Sequence, residues 1–323
     1  MTKLERILIT KTPLAFVLRK SKHWYLPGFE GVPLYDVIKF FYRQVKTVGL
    51  TERASAVAYN FIMAIPPSFL FLFTLIPQLP FFKKKEILRQ LTLIIKDIIP
   101  AEGYNKTIIT FIKETFFDTP VFSILSFGLL LALFFASNAM MGLMRSFNKN
   151  YIGFEKRKGL HDRWIAIRLT TLIFGLVLAC LTLLITQGAV LKWMGVTSPF
   201  WKEFIFYTRW IFIIALVYYS IAFIYKYAPA VQKRWKLISP GTILATFLSI
   251  LATVGFSAFV NNFGKYNALY GSIGTIIMLM ALIFINSLVL LIGFELNVSI
   301  KSLKLIAEHR AAEEKKNAAK QIT

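Results

Sequence analysis

"LLIGFELNVS", residues 290–299, closes an apolar run that starts at Ile273 and carries no charge before Glu295. A bilayer core about 30 Å thick asks for roughly 20 predominantly apolar residues in a helix, a length this run supplies. The same test finds five more segments along the chain: residues 54–76, 121–144, 169–190, 205–225 and 237–260. Arg209 interrupts the fourth of these, and its long stem lets the charge snorkel to the interface. The expected fold class is an all-α integral membrane protein with six transmembrane helices.

Composition agrees. Of 323 residues 56% are hydrophobic and 31 are Phe, while only 17% are charged, so there is more apolar surface than a soluble core needs. Lys and Arg outnumber Asp and Glu by 38 to 16, a balance that fits either nucleic-acid phosphates or the cationic loops that orient a membrane protein. Their placement favours the loops. The two tails and the second and fourth connections together hold 27 of the 38 basic residues, and the other three connections hold 11. Under the positive-inside rule both termini lie in the cytoplasm. Nucleic acid is not needed to explain the charge and is not an expected partner. The first 50 residues are broken by charge and lack the apolar core of a cleavable signal peptide, so insertion is expected to rely on the internal spans. The single cysteine, Cys180, lies in an apolar run and forms no disulfide within the chain.

Three parts follow: residues 1–53 as a cytoplasmic tail, 54–300 as the membrane domain with an outer amphipathic loop at 77–119, and 301–323 as a second cytoplasmic tail. In residues 34–50, Leu34, Val37, Ile38, Phe41, Val45 and Val48 recur at helical spacing opposite Lys39, Arg43 and Lys46. This reads as a helix on the inner leaflet or as one packed on the membrane domain. The outer loop repeats the pattern with Ile87, Leu88, Leu91, Ile94, Ile95, Ile98 and Ile99 opposite Arg89, Lys96 and Asp97. Residues 308–323, rich in Ala, Lys and Glu, suit a solvated helix.

Polar groups inside spans are functional candidates because hydrocarbon offers them no partner. They are Asn60, Ser137, Asn138, Gln187 and Asn286, with Glu295 and Asn297 at the end of the last span. Pro66 and Pro67, near the middle of the first span, remove two backbone donors and predict a kink or break of the kind that builds transporter sites. Tyr59 lies just before them. With the C-terminus inside, Glu295 falls near the cytoplasmic interface. It is expected either to gate an inner cavity, paired with a Lys or Arg, or to form a structural ion pair with the basic loop around Lys233 and Arg234. Residues 261–274, "NNFGKYNALYGSIG", read as a shaped outer loop in which Tyr266, Tyr270 and Gly271 stand out.

His23, His161 and His309 are far apart, no metal-ligand spacing occurs, and no phosphate-cradling GxxxxGK[ST] motif is present. No metal and no cofactor are expected.

Five stretches in order, "ASAVAYNFIMAIPP" (54–67), "NKNYIGFEKRKG" (148–159), "YKYAPAVQKRW" (225–235), "YNALYGSIG" (266–274) and "LIGFELN" (291–297), resemble the YihY/virulence-factor BrkB family of bacterial inner-membrane proteins over residues 39–302. The resemblance implies a six-span inner-membrane fold. It carries associations with envelope function, serum resistance and, in one branch, handling of a lipid A precursor, besides an old ribonuclease label. It singles out Tyr59, Pro67, Asn148, Pro229, Tyr270, Gly271, Glu295 and Asn297. Ala64 stands where a serine is common, and Phe294 where a small residue is. The expected function is transport or lipid handling in the cell envelope without covalent chemistry, Tyr59, Asn60, Pro66, Pro67, Asn138 and Asn286 lining a path that Glu295 gates. Membrane lipids, anionic ones included, are the expected partners. A non-transporting envelope scaffold is the alternative, and a ribonuclease the third reading.

Overall fold

In hydrocarbon a backbone can bond only to itself, and the apolar runs of this chain resolve into helices. The structure is a computed structural model that describes residues 21, 22, 24–75, 88, 89, 92, 109, 110, 113, 114, 127–148, 151, 154, 159–193, 199–231, 234–262 and 265–322. In chain order the helices are α1 (Leu34–Thr47), α2 (Leu50–Leu75), α3 (Phe127–Ala136), α4 (Asn138–Phe147), α5 (Gly159–Trp193), α6 (Pro199–Tyr227), α7 (Pro240–Asn262) and α8 (Lys265–Ile322). Among the described residues no strand occurs, only one antiparallel bridge between Phe154 and Val231. Most of the expected outer amphipathic stretch at 77–119 lies outside the described residues.

Among the described residues five helical stretches are long and apolar enough to cross a membrane: Leu130–Phe147, Gly159–Cys180, Trp210–Tyr227, Pro240–Phe259 and Ile277–Glu314. Their surfaces are inverted relative to a soluble protein. On α7, Ile243, Phe247, Leu251 and Val254 recur every three or four residues and are 54–63% exposed, while Thr242, Ala245 and Thr246 are buried. An apolar face turned outward over three turns suits lipid rather than water.

Two expectations are corrected. Of the kink or break expected at Pro66 and Pro67, the break does not occur, since α2 runs through both. The carbonyls of Ile62 and Met63 lose their usual donors, but helical turns on both sides hold the backbone, and Ser68 Oγ adds a bond to Ala64 O at 2.6 Å. Residues 261–274 are not a shaped loop either. α7 ends at Asn262 and α8 begins at Lys265, which puts Tyr266, Tyr270 and Gly271 in the first two turns of a helix. Ala268, Leu269 and the run from Ile273 carry helical propensity that Gly271 and Gly274 do not overcome. α8 then continues without interruption to Ile322, so the last apolar run and the charged C-terminal segment share one 58-residue helix.

The chain divides into two compact units. One holds the described residues up to Tyr59 with Gly142–Asp162 and Val217–Thr323; the other holds Asn60–Met141 and Arg163–Leu216. In the first, α7 and α8 meet at two glycines. A Cβ on Gly293 would come within 2.6 Å of Ala245 Cβ, Gly241 O and Tyr225 Oη, and one on Gly241 would overlap Gly293 O. Small residues are what allow helix backbones to approach this closely. Below this seam, α1 lays Val37 against Ile300 of α8 in a cluster with Phe29 and Val32, flanked by Leu34, Leu296 and Leu303. Gly49, at φ +64°, turns the chain from α1 into α2 within two residues, a conformation that costs glycine little. That turn delivers Arg53 into the first turn of α2. In the second unit, Phe71 of α2 stacks on Phe174 of α5 at 4.9 Å.

Candidate functional site

Glu295 is completely buried, and it is paired with Arg53 of α2 rather than with the loop around Lys233 and Arg234. Arg53 Nη1 donates to Glu295 Oε1 at 2.5 Å, and the Tyr151 hydroxyl donates to the same oxygen at 2.5 Å. The same Nη1 also reaches Tyr151 Oη at 3.0 Å, and Nη2 donates to the carbonyl of Ser146 at the end of α4. One guanidinium thus ties together α2, α4, the connection after it, and α8. Arg234, from the loop expected to supply the partner, is exposed and lies 5.3 Å over the Tyr227 ring.

An aromatic cage shields this cluster. Phe294 stacks on Phe147 with centroids 3.9 Å apart and planes 6° from parallel. Trp235, Tyr151, Tyr225 and Phe154 surround Phe294 at 5.4, 6.2, 6.3 and 6.3 Å. The bulky residue at 294, a departure from the family's small one, is therefore the centre of the cage. Low surrounding polarity strengthens the ion pair and makes an unpaired partner costly. Burial first, and then the adjacent Glu295 charge, push the Tyr151 phenol far above its ordinary 10.0, with Arg53 opposing, so Tyr151 remains a neutral donor. Among the described residues Glu295 Oε2 and Arg53 Nε have no hydrogen-bond partner. Such orphans inside a protein are uncommon.

Asn297, two residues on, belongs to a different network. Its Oδ1 accepts from Gly241 N at 2.9 Å and its Nδ2 donates to Ser239 Oγ at 2.9 Å. Ser239 Oγ also accepts from Thr242 N at 3.3 Å, so Ser239 and Asn297 together cap the start of α7, where Pro240 has no N–H and needs no acceptor. Asn148 Oδ1 accepts from Ala230 N at 2.8 Å, which ties the residue after α4 to the segment after α6 beside the buried Pro229.

The remaining candidates lie elsewhere. Asn286 Oδ1 accepts from Ser249 Oγ at 2.5 Å, and its Nδ2 donates to Leu282 O at 3.1 Å. Asn138 Oδ1 accepts from Arg163 Nη1 at 2.7 Å, with the guanidinium 3.6 Å from the Phe134 ring centre. Tyr59 and Pro66 are exposed, and Asn60 and Pro67 are half-buried. Arg53 and Tyr151 were not singled out from sequence, although Tyr151 sits inside a quoted motif and Arg53 immediately precedes another. The available signal was an Arg in the first turn of a helix that carries no charge beyond it, next to Glu52, and a Tyr in a strongly basic connection. Among the described residues no group of His, Cys, Asp and Glu could hold a metal ion.

The family model for virulence factor BrkB matches residues 41–319. The chain belongs to the virulence factor BrkB family. Among relatives of this BrkB-family protein, the ribonuclease-like protein YfkH of Bacillus subtilis is 27% identical over 266 residues, covering 80% of this chain and 92% of the relative. A UPF0761 membrane protein of Tolumonas auensis is 24% identical over 305 residues, covering 92% of this chain and 96% of its own. Another, from Chromohalobacter salexigens, is 26% identical over 255 residues, and the match spans 76% of this chain and 58% of that relative. No solved structure matches. Family and apolar helices together make the BrkB-family chain a multi-pass protein of the bacterial inner, or plasma, membrane.

Proposed function

We propose that this BrkB-family protein is a six-span transporter or lipid-handling protein without covalent chemistry, both termini cytoplasmic, in which Arg53, Glu295 and Tyr151 form a latch at the cytoplasmic mouth. The observation that carries the reading is the buried Arg53–Glu295 pair itself. It clamps the start of α2 to α8, yet among the described residues one carboxylate oxygen and one guanidinium nitrogen stay unfilled. A purely structural pair gains from filling every position; a latch that must reopen gains from holding fewer bonds. The starts of α2 and α7 and the ends of α4 and α6 gather around this cluster, as alternating crossings with basic inner connections require. The outward apolar face of α7 favours a lipid over a small ion as cargo.

The test is movement of fluorescent phosphatidylglycerol and phosphatidylethanolamine between leaflets of liposomes holding the purified protein. Wild type should move at least one of them faster than protein-free liposomes, and Tyr151→Phe, which loosens the latch while keeping the ion pair, should change the rate several-fold. Movement no faster than in protein-free liposomes for both lipids sinks the lipid reading. A scaffold would then lead, a reading favoured by the engagement of both amide ends of Asn286 and Asn297 with neighbours. The ribonuclease reading draws only on the wording of a relative's name, and metal-dependent RNA cleavage by the pure protein would revive it.

A further inference from the structure

The helix α1 has two apolar faces, and the contacts with α8 account for one. Val37 is fully buried against Ile300. On the other side Tyr35, Ile38, Tyr42 and Lys46 follow one another at helical spacing with Lys39 beside them, and Ile38 and Tyr42 are 53% and 60% exposed. Ammonium groups cluster on the same rings: Lys46 lies 4.5 Å over Tyr42, and Lys22 and Lys39 lie 5.3 and 6.0 Å from the Tyr35 ring centre. Trp24, Tyr25 and Leu26, all exposed, extend this face, because Leu34 N donates to Trp24 O at 2.9 Å and holds that segment at the start of α1. The acidic groups nearby stand at the flank of this face or are engaged. Asp36 is exposed about 160° around the helix from Ile38 and about 60° from Lys39, and Glu30 is engaged by Lys301 and Lys304 at 3.5 and 3.0 Å.

Depth decides what can cover such a face. Ile300 is six residues beyond Phe294, about 9 Å along the helix axis. The polar layer on each side of a bilayer is about 5–8 Å thick, so the α1–α8 contact at Ile300 lies at the outer edge of the lipid headgroups, where side chains of α1 meet their charge. Exposed aromatic and aliphatic side chains flanked by lysines, without an acid among them, complement an apolar boundary topped by negative charge.

We propose that the face of α1 formed by Tyr35, Ile38, Lys39, Tyr42 and Lys46, with Trp24–Leu26, is a docking surface for anionic phospholipid headgroups of the leaflet. It rests on the membrane reading of the chain and is independent of transport, so the two can fail separately.

The test places one spin label at a time on the full-length Cys180→Ala protein, through Ile38→Cys, Tyr42→Cys or, as the control on the opposite side, Asp36→Cys. The protein is reconstituted in vesicles of phosphatidylcholine alone or with equal parts phosphatidylglycerol. Accessibility to oxygen is compared with that to a water-soluble nickel complex. Labels at 38 and 42 should favour oxygen several-fold more in the anionic vesicles, while the label at 36 stays open to nickel in both. Adding Lys39→Gln and Lys46→Gln should abolish the dependence on phosphatidylglycerol. Equal accessibility at 38 and 42 in the two vesicle types, or a lipid dependence that survives loss of both lysines, overturns the proposal. So does protection at 38 and 42 that requires a soluble protein partner instead of anionic lipid.

Discussion

Glu295 and Asn297 sit two residues apart on one helix, and they teach opposite lessons about buried polar groups. Asn297 faces the start of α7, where amide and carbonyl both find partners and the network closes with Ser239 and Thr242. Glu295 faces Arg53 and Tyr151, where one oxygen takes both donors and the other takes none among the described residues. A closed network specifies one packing. An incomplete ionic one, held under aromatic rings, leaves positions that another arrangement could fill, as the proposed latch requires.

The largest expected effect comes from halving the ionic cluster. Glu295→Ala or Arg53→Ala leaves an uncompensated buried charge and should cost about 3–5 kcal/mol in detergent unfolding, whereas the pair Arg53→Met with Glu295→Leu should recover most of it. If the single changes cost little, the cluster is wetter and looser than its burial indicates. Gly293→Val should come next, at about 1–3 kcal/mol, because the new carbons overlap Ala245, Gly241 and Tyr225 at the seam that supports both networks. Asn297→Ala should cost about 1–2 kcal/mol by unfilling the first amides of α7, with Asn297→Ser recovering little because the shorter side chain falls short of Gly241 N. Smallest is Tyr151→Phe, about 1 kcal/mol, since Arg53 still occupies Glu295 Oε1.

Tyr151 also carries a pH signature. Its folded value lies above the unfolded 10.0, so its contribution is intact below that pH and is lost as pH rises further. Wild type should therefore lose stability above about pH 10 more steeply than Tyr151→Phe, as followed by intrinsic fluorescence. Equal alkaline slopes would mean that the phenol reaches water and that the cage is open.

Much of this was legible in the chain. Residues 273–294 announced a span, the spacing of residues 34–48 announced α1, and the isolation of Glu295 marked it as the carboxylate to explain. Its partner was not legible, because 242 residues separate Arg53 from Glu295 and any of the inner basic residues could have served. Pro66-Pro67 left kink and break both open for a related reason: a pair of prolines reports lost donors, but not how many neighbouring turns hold the helix together. Residues 261–274 misled because glycine and aromatic content suits a membrane-edge loop and the start of a membrane helix equally well.

Composition and period, then, determined what each segment had to be, since apolar length and 3.6-residue spacing act locally and need no knowledge of the partner. Tertiary structure decided which polar group met which. Two glycines let α7 and α8 close up, Gly49 turned Arg53 toward Glu295, and Phe294 filled the space around them, choices that depend on distances between residues far apart in the chain.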